Sequence, residues 1–406
     1  MNTRAVAARV LLRIVEEGAY SNVVLPHATA DLHERDRSFV FRLVTDALRH
    51  DRLVTATIES AAKRKMAALD PEVRSVLQVA VAEMYTDEKH DVFATVNEAV
   101  EAARSLGVGR AASFVNAVLR SIARTGINEG NLGWGTRFSV PDWMYAQLSR
   151  DHGEPEARAL LVGLRSPAPA TPLRLRPGAE KPVDARPVDG IDGAFYVDGR
   201  SSREVGSGYS VTDPASTAVV LALSPKPGER ILDLAAAPGG KTLHLADSIG
   251  DDGAVIALDR NRRRLRSARR RMVAAGAEPW WVCGDGRVAP FRTASFDGVL
   301  VDAPCTGMGT LRRRPEIAMR LEPGAPAELA AIQRAMLAEA WRLVRPGGRI
   351  VYSVCTVFAE ETTEVVAAHP ATKPEGLPGR PSGKGLLLAP HLTGTDGMFI
   401  SLIQRP

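Results

Sequence analysis

Two cysteines stand directly after apolar runs that are typical of buried β-strands. Cys305 lies in the segment DAPCTGMG and Cys355 in the segment YSVCT. In doubly wound sheets ligands bind beyond the carboxyl ends of the strands, and a cysteine thiolate is a strong nucleophile. A small core thiol is the ordinary alternative, but Pro-Cys-Thr-Gly is a turn rather than a strand interior. The two positions therefore predict thiol chemistry, whereas Cys283, inside a strand beside two tryptophans, is expected to pack in the core.

The remaining composition excludes several classes of protein. None of the three cysteines forms a CxxC pair or lies near histidines at zinc-ligand spacing, so we expect neither a metal site nor disulfides. No apolar run approaches the ~20 residues that a membrane helix needs, and the first residues do not form a signal peptide, so we expect a cytoplasmic protein. A net charge of +5 and clustered arginines indicate a polyanionic partner.

A segment of small residues after the strand ERILDLA is the strongest candidate for a cofactor site. Small side chains and glycines let the backbone approach a ligand, and the following helix offers free amide donors. The dinucleotide pattern GxGxxG is absent, and the phosphate-loop pattern GxxxxGK[ST] would need glycine at position 235. We therefore predict a cofactor without pyrophosphate, held by Ala235, Ala236, Ala237, Pro238, Gly239, Gly240 and Lys241.

Acidic residues after further strands extend this prediction. Asp259 closes the second strand, 20 residues after Gly239, where a carboxylate can accept hydrogen bonds from two ribose hydroxyls. Asp285 follows the third strand and is placed to receive an adenine amino group. A single acid of this kind can equally be a helix cap, but acids after three successive strands predict a pocket for an adenosine-bearing cofactor.

The elements that position these residues follow from hydrophobic periodicity. Strand-like runs alternate with helix-like segments from about Thr212 onward, which predicts a parallel, doubly wound sheet. Near the start of the chain, Val6, Val10 and Ile14 recur at helical spacing, and Asp70 before a proline is expected to cap a helix. Residues 370–390, rich in Pro, Gly and Lys, are expected to form a loop.

We therefore expect a multidomain protein. Residues 1–125 form an all-α domain and 126–164 a connector. Residues 165–215, with the strand candidates TPLRLRP, GAFYVDG and GYSVTD, form a small α+β module, and 216–406 form a Rossmann-like α/β domain.

These motifs together resemble the Sun/Nop family of RNA cytosine-C5 methyltransferases. AAAPGGKT is similar to the family's cofactor motif, DAPCTGMG to its Pro-Cys motif, and YSVCT to the segment that carries its nucleophile. The N-terminal segments VNEAVEAA and FVNAVLR resemble a NusB-like RNA-binding domain. Nearly the whole chain is similar to the bacterial RsmB/Fmu/Sun branch, which acts on small-subunit ribosomal RNA.

The resemblance implies an activity and a role for each site residue. The implied reaction is methyl transfer from S-adenosylmethionine, by a monomeric enzyme with a class I methyltransferase domain, to carbon 5 of a cytosine in ribosomal RNA. Cys355 is implied to attack carbon 6 of the base, which makes carbon 5 nucleophilic. Cys305 is implied to assist product release, and Asp302 to bind the ring edge near N3 and to contribute to the cofactor site.

The chain departs from the family pattern at three places. Glu360-Glu361-Thr362-Thr363 stands where an Asn-Glu pair is usual, Val354 where threonine is usual, and Leu173-Arg174-Leu175-Arg176 where LRVN is usual. These differences leave the reacting residues in place and concern how RNA is positioned.

Two arginine clusters are candidates for RNA phosphate contacts. Arg312, Arg313 and Arg314 follow the Pro-Cys segment, and we predict that they bind phosphates. Eight arginines between positions 260 and 271, among them Arg262 and Arg263, flank an apolar stripe and predict a surface helix. Solvation and RNA binding explain that helix about equally.

Three alternatives remain open. A transfer-RNA cytosine methyltransferase would have the same chemical core, although the NusB-like domain argues against it. A non-catalytic RNA-binding or ribosome assembly factor would bind the cofactor without using the thiols. In a third interpretation Cys305 is the attacking group, because DNA cytosine methyltransferases use a Pro-Cys thiol.

Overall fold

The computed structural model describes residues 2–87, 91–168, 170–198 and 208–406. The chain divides into two compact units: unit 1 comprises residues 1–150 and 311–321, and unit 2 comprises residues 151–310 and 322–406. The fold class is confirmed, because a helical domain precedes an α/β domain with a mixed sheet. The finer division at residues 125, 164 and 215 stays a prediction.

The regular elements of unit 1 are all helices among its described residues. Apolar residues at helical spacing, such as Leu11 and Ile14, meet in one core and are almost fully buried. A helix begins after Asp70 as expected, but the Asp70 side chain does not cap it and instead binds Arg110 at 2.9 Å. The longer segments are α1 Thr3–Val15, α2 Ser21–Ala28, α3 Glu34–Arg49, α4 Asp51–Ala62, α5 Pro71–Thr86, α6 Val92–Ser105, α7 Ala112–Thr125, α8 Trp134–Arg137 and α9 Asp142–His152.

A segment from far along the chain completes unit 1. Glu316 is fully buried, and its Oε1 accepts hydrogen bonds from the Ser21 amide at 3.2 Å and the Ser21 hydroxyl at 2.8 Å. The Arg320 guanidinium donates to the carbonyl oxygen of Ala19 at 2.6 Å and lies over the ring of Tyr20. Residues 311–321 therefore belong to the helical unit, although they follow the Pro-Cys segment in sequence.

Unit 2 begins with a small antiparallel sheet whose strand order is β2-β3-β1-β4. Its strands are β1 Thr171–Leu175, β2 Arg186–Pro187, β3 Ala194–Val197 and β4 Tyr209–Val211. Arg174 of β1 and Arg176, which directly follows this strand, both pair with Asp247, whose side chain is 7% exposed, at 2.5 Å and 2.9 Å. Arg176 stands where the family pattern has asparagine, so this departure adds a second ion pair that ties the end of the strand to a neighbouring helix.

The large sheet has nine strands and is mixed. The strand order is β11-β12-β13-β9-β8-β5-β6-β7. The strands β9, β8, β5, β6 and β7 are parallel to one another. The pairs β11–β12, β12–β13 and β13–β9 are antiparallel, and β10 pairs antiparallel with β13. The strands are β5 Arg230–Asp233, β6 Ala254–Asp259, β7 Trp280–Cys283, β8 Phe296–Asp302, β9 Val344–Val354, β10 Ala371–Thr372, β11 Arg380–Ser382, β12 Gly385–Leu388 and β13 Met398–Gln404.

Helices follow or separate most of these strands. They are α10 Glu154–Arg165, α11 Pro214–Leu223, α12 Gly240–Ile249, α13 Arg262–Ala274, α14 Ile317–Arg320, α15 Ala325–Leu343, α16 Thr363–Val366 and α17 Pro390–Thr393, with α14 inside the segment that belongs to unit 1. Within the described part of the chain, no helix combines the length and apolarity that a membrane crossing requires.

Two expectations about unit 2 are wrong. Residues 370–390 are not a loop, because β10, β11 and β12 lie in this stretch and pair in the sheet. Cys283 is exposed rather than packed in the core. The reason is that β7 is an edge strand with a single neighbour, so its apolar sequence does not guarantee burial.

Candidate active site

The carboxyl ends of β5, β6, β8 and β9 lie at one edge of the large sheet. Asp302 at the end of β8 is in register with Ser353 of β9, so the two cysteine segments leave neighbouring strands side by side. A cavity of about 240 Å³ opens at this edge. It is lined by Val211, Thr212, Asp213, Ser216, Asp233, Ala235, Ala236, Ala237, Pro238, Gly239, Gly240, Lys241 and Asp302.

The small-residue segment and Asp302 line this cavity, whereas Asp259 and Asp285 do not, and the binding of a cofactor by these residues stays a prediction. The buried Asp259 carboxylate accepts hydrogen bonds from the amides of Ala237 at 3.0 Å and Asn261 at 2.7 Å. Asp285 pairs with Arg287 at 2.6 Å, and these hydrogen bonds lower the pKa of Asp285 to about 2. Their contacts with ribose and adenine stay predictions.

Helix α13 holds the small-residue segment from one side. The guanidinium of Arg264 donates to the carbonyl oxygen of Ala237 at 2.5 Å, and that of Arg271 to Pro238 at 2.6 Å. Gly239 has φ of +103°, and an added Cβ would lie 3.3 Å from the Ala268 side chain. Glycine is therefore the residue that fits this turn without strain.

Five residues that line the cavity were missed by sequence reasoning: Val211, Thr212, Asp213, Ser216 and Asp233. Asp213 had a usable signal, since an aspartate before a proline is typical of a helix start. It caps α11 by accepting a hydrogen bond from the Ala215 amide at 2.9 Å. Asp233 lies at the end of a buried strand, where the sequence pattern alone does not show that its side chain reaches a cavity.

The two predicted reactive cysteines are brought together. The Sγ atoms of Cys305 and Cys355 are 3.3 Å apart, and both residues are half-buried. The hydrogen bond with Cys355, together with burial, raises the pKa of the Cys305 thiol well above its ordinary value. Cys305 therefore keeps its proton at neutral pH. Among the described residues, no group of three or more His, Cys, Asp or Glu side chains could hold a metal ion.

A lysine and an aspartate that line the cavity form an ion pair and interact electrostatically with the thiols. Lys241 Nζ lies 2.7 Å from Asp302 Oδ2, and the Ser353 hydroxyl donates to Asp302 Oδ1 at 2.9 Å. Burial opposes the charged amine, but the carboxylate of Asp302 and the nearby Cys355 raise the pKa of Lys241. Sequence reasoning identified Lys241 only as a cofactor contact and missed this ion pair.

The Pro-Cys segment closes tightly on the strand end that carries Cys355. The Gly309 amide donates to the Cys355 carbonyl oxygen at 2.9 Å, and the Gly397 amide donates to the Gly309 carbonyl oxygen at 2.8 Å. A Cβ at Gly309 would lie 2.0 Å from the carbonyl oxygen of Gly397. The close backbone approach therefore requires glycine at position 309.

The two arginine clusters differ in exposure. Arg312 is buried in unit 1, which does not support its predicted phosphate contact, because a buried guanidinium is shielded from RNA. Arg313 and Arg314 are half-buried, and their contacts stay predictions. Arg262 and Arg263 are exposed on α13, and no arginine of this helix is ion-paired with a carboxylate of the described residues.

Solved structures support the fold. The crystal structure of PH0851 has a TM-score of 0.83 and is 23% identical in sequence, with 100% of this chain and 99% of that chain covered. The crystal structure of NSun6 from Pyrococcus horikoshii with SFG has a TM-score of 0.58 and 20% identity, and covers 65% of this chain and 98% of that chain.

Sequence comparisons give the family. The chain is 34% identical to the ribosomal RNA small subunit methyltransferase B of Thermus thermophilus, with 99% of this chain and 97% of the relative covered. It is 31% identical to a probable ribosomal RNA small subunit methyltransferase B of Bacillus subtilis, with 100% and 99% covered. The family model for 16S rRNA methyltransferase RsmB/F matches residues 220–404, and the NusB family model matches residues 1–124. The chain therefore belongs to the RsmB/F family of methyltransferases and carries an N-terminal NusB-family domain.

Proposed function

We propose that this protein transfers a methyl group from S-adenosylmethionine to carbon 5 of a cytosine in small-subunit ribosomal RNA. The observation that carries the proposal is the pair of thiols, 3.3 Å apart, beside the ion pair of Lys241 and Asp302. Carbon 5 of cytosine is a poor nucleophile, whereas addition of a thiolate to carbon 6 makes carbon 5 nucleophilic. Covalent catalysis of this kind needs a nucleophilic thiol and a group that handles the proton.

The residues take distinct roles in this reaction. Cys355 forms a bond from its Sγ to carbon 6, and Asp302 binds the ring edge near N3 and stabilises the adduct. After carbon 5 has been methylated, a base such as water takes up the carbon-5 proton. The electron pair of that C–H bond restores the double bond between carbons 5 and 6, the bond between Sγ and carbon 6 breaks, and Cys355 leaves as a thiolate. Because the pKa of Cys305 is raised, Cys305 holds its proton and is unsuited to the attack. Its contact with Cys355 lets it donate this proton to the departing thiolate, which keeps that thiolate from adding to the base again.

The cavity fits the adenosine-bearing cofactor that the family uses. Asp233 Oδ1 is buried at the cavity and accepts no hydrogen bond from the described residues, so it offers an acceptor to a ligand. Residues 235–241 and Asp302 would hold the cofactor, and the contacts of Asp259 with its ribose and of Asp285 with its adenine stay predictions. When bound, the cofactor supplies an electrophilic methyl group.

Ribosomal RNA is the substrate that the relatives' names favour. Both relatives that are compared above are named for the small ribosomal subunit. The exposed arginines of α13 add a surface that suits RNA phosphates. Bisulfite sequencing of total RNA from cells with and without the gene distinguishes the substrates. If cells without the gene lose a 5-methylcytosine from transfer RNA and none from ribosomal RNA, the substrate is transfer RNA and this part of the proposal is wrong.

Trapping of a covalent RNA adduct tests the roles of the two thiols. We expect Cys305→Ala to accumulate protein linked to RNA, because the release step fails after the attack has occurred. Cys355→Ala should form no adduct and transfer no methyl group. Cys283→Ala removes an exposed thiol and serves as the matched control, with wild-type behaviour expected.

The alternative functions predict different patterns of covalent adducts in these variants. An adduct from Cys355→Ala and none from Cys305→Ala would make Cys305 the attacking group. No adduct from either variant, with no methylation by the wild type, would favour a non-catalytic RNA-binding or assembly factor.

A further inference from the structure

Each reactive cysteine is followed by a threonine, and the two threonine hydroxyls meet at one buried carboxylate. The Oγ1 atoms of Thr306 and Thr356 are 2.8 Å apart. Oε2 of Glu361 lies 2.5 Å from the first hydroxyl and 3.1 Å from the second. Glu361 is fully buried. One carboxylate thus contacts the residues that follow both cysteines.

The second carboxylate oxygen of Glu361 holds the backbone around Cys305. Its Oε1 accepts hydrogen bonds from the Thr306 amide at 2.9 Å and from Gln333 Nε2 at 3.0 Å. The same Gln333 amide donates to the carbonyl oxygen of Pro304 at 2.9 Å. The peptide groups on both sides of Cys305 are therefore fixed by Glu361 and Gln333.

The strand that leads to Cys355 is connected to the same group. The Tyr352 hydroxyl lies 2.6 Å from the backbone carbonyl oxygen of Glu361 and 3.0 Å from Gln333 Oε1. A buried carboxylate is costly unless hydrogen bonds satisfy it, and here four donors converge on the side chain of Glu361. A glutamine at this position has a single acceptor oxygen and could satisfy only part of these donors.

We propose that Glu361 is a positioning residue that fixes the spacing between Cys305 and Cys355. The inference rests on the proposed function, in which attack on the base and release of the product require both sulfurs at one place. A displacement of about 1 Å at a reacting group can cost on the order of 10²-fold in rate. Glu361 itself touches neither sulfur in the hydrogen-bond network, so its effect passes through the threonines and the backbone.

The test compares Glu361→Gln with Glu339→Gln in the full chain. Glu339 is a matched control, because it is also a buried carboxylate that accepts from a backbone amide, that of Ala289 at 2.8 Å, and it lies outside the thiol network. We expect Glu361→Gln to lower kcat by about 10²-fold with little change in KM for the cofactor. Glu339→Gln should have the kcat of the wild type when the rate is expressed per molecule of folded protein.

A second readout does not depend on RNA. Peptide mass spectrometry measures the rate at which iodoacetamide alkylates Cys305 at a series of pH values, which gives a pH profile of alkylation. Cys355, Glu361 and Asp302 all raise the pKa of Cys305, so removal of the Glu361 charge should move this profile to lower pH. A shifted profile in a protein whose wild type transfers no methyl group, and whose Cys305→Ala variant forms no RNA adduct, would support the positioning role while the proposed function fails.

Hydroxyl variants cover the case in which Glu361→Gln does not fold. Thr306→Ser keeps the hydroxyl and should retain kcat within about threefold, whereas Thr306→Val should lose about tenfold. The inference is overturned if Glu361→Gln keeps kcat within about twofold and leaves the alkylation profile unmoved. Equal losses in Glu361→Gln and Glu339→Gln, in proportion to the unfolded fraction, would also overturn it.

Discussion

Asp233 shows how burial at the end of β5 changes the behaviour of a single carboxyl group. The residue is 1% exposed, and its Oδ2 accepts a hydrogen bond from the Thr242 hydroxyl at 2.8 Å. Burial raises the pKa of Asp233 to about 7 from an ordinary value of 3.8. The folded protein therefore binds a proton at this site more tightly than the unfolded chain does.

A pH dependence of stability follows from this shift. The contribution of protonated Asp233 to the free energy of unfolding is complete below pH 3.8 and is lost as the pH rises through about 7. Asp233→Asn should remove this slope, which we expect to amount to a few kcal/mol in order of magnitude. Urea unfolding of both proteins between pH 4 and pH 8, without cofactor, measures the difference.

An exposed carboxyl provides the control for this measurement. Asp252 lies on the surface of the turn after α12, and Asp252→Asn should leave the slope of the wild type unchanged. If Asp233→Asn unfolds with the same pH dependence as the wild type, the buried carboxyl does not titrate in this range.

At the scale of elements, the parallel strands and their helices could be predicted because each carries its own signal. Long apolar runs mark β8 and β9, and the small-residue turn marks the start of α12. The strands β10, β11 and β12 were missed because they have only two to four residues each and contain or adjoin proline and glycine. Their conformation is set by pairing, of β10 and β12 with β13 and of β11 with β12, which local sequence does not encode.

The site residues likewise divide into those that the sequence could predict and those that it could not. Cys305, Cys355 and Asp302 follow strands that the sequence marks clearly, so their approach could be foreseen. Glu361 could not be foreseen as a partner of both cysteine segments, since its contacts depend on how the short turn Ala359–Glu361 brings it beside Thr306 and Thr356.

Helix α13 carries a charge pattern that disfavours its own stability. It has arginines in its first turn, where the helix dipole disfavours cations, and like charges recur three and four residues apart. We expect the double variant Arg262→Gln, Arg263→Gln to weaken RNA binding and to lower the slope of log K against log salt by about one for each lost phosphate contact. Fluorescence anisotropy at several salt concentrations provides this slope.

An exposed arginine that is already ion-paired tests whether the loss of any positive charge lowers the salt slope of RNA binding. Arg345 is 52% exposed and binds Asp297 at 2.6 Å at the opposite edge of the sheet. Arg345→Gln should leave the salt slope unchanged. An unchanged slope in the α13 variant as well would mean that this helix is solvated rather than bound to RNA.

At the scale of the whole molecule, unit 1 is not continuous in sequence. Residues 311–321 contribute the buried Glu316 that accepts both hydrogen bonds from Ser21. A fragment of residues 1–150 therefore lacks a charged acceptor for two buried donors, and each such loss costs about 1–3 kcal/mol. We expect a peptide of residues 311–321 to raise the thermal midpoint of this fragment in a circular dichroism melt.

The same peptide with Glu316→Gln is the matched comparison and should raise the midpoint less. Equal effects of the two peptides, or no effect of either, would mean that the Ser21 contact does not stabilise unit 1.

The interleaved segment also sets an order of events during synthesis. Translation proceeds from the amino terminus, so the ribosome must complete 321 of the 406 residues before the helical unit has all its parts. Until then the Ser21 amide and hydroxyl lack their glutamate acceptor and the Ala19 carbonyl oxygen lacks its arginine donor, so the start of α2 reaches its final contacts only late in synthesis.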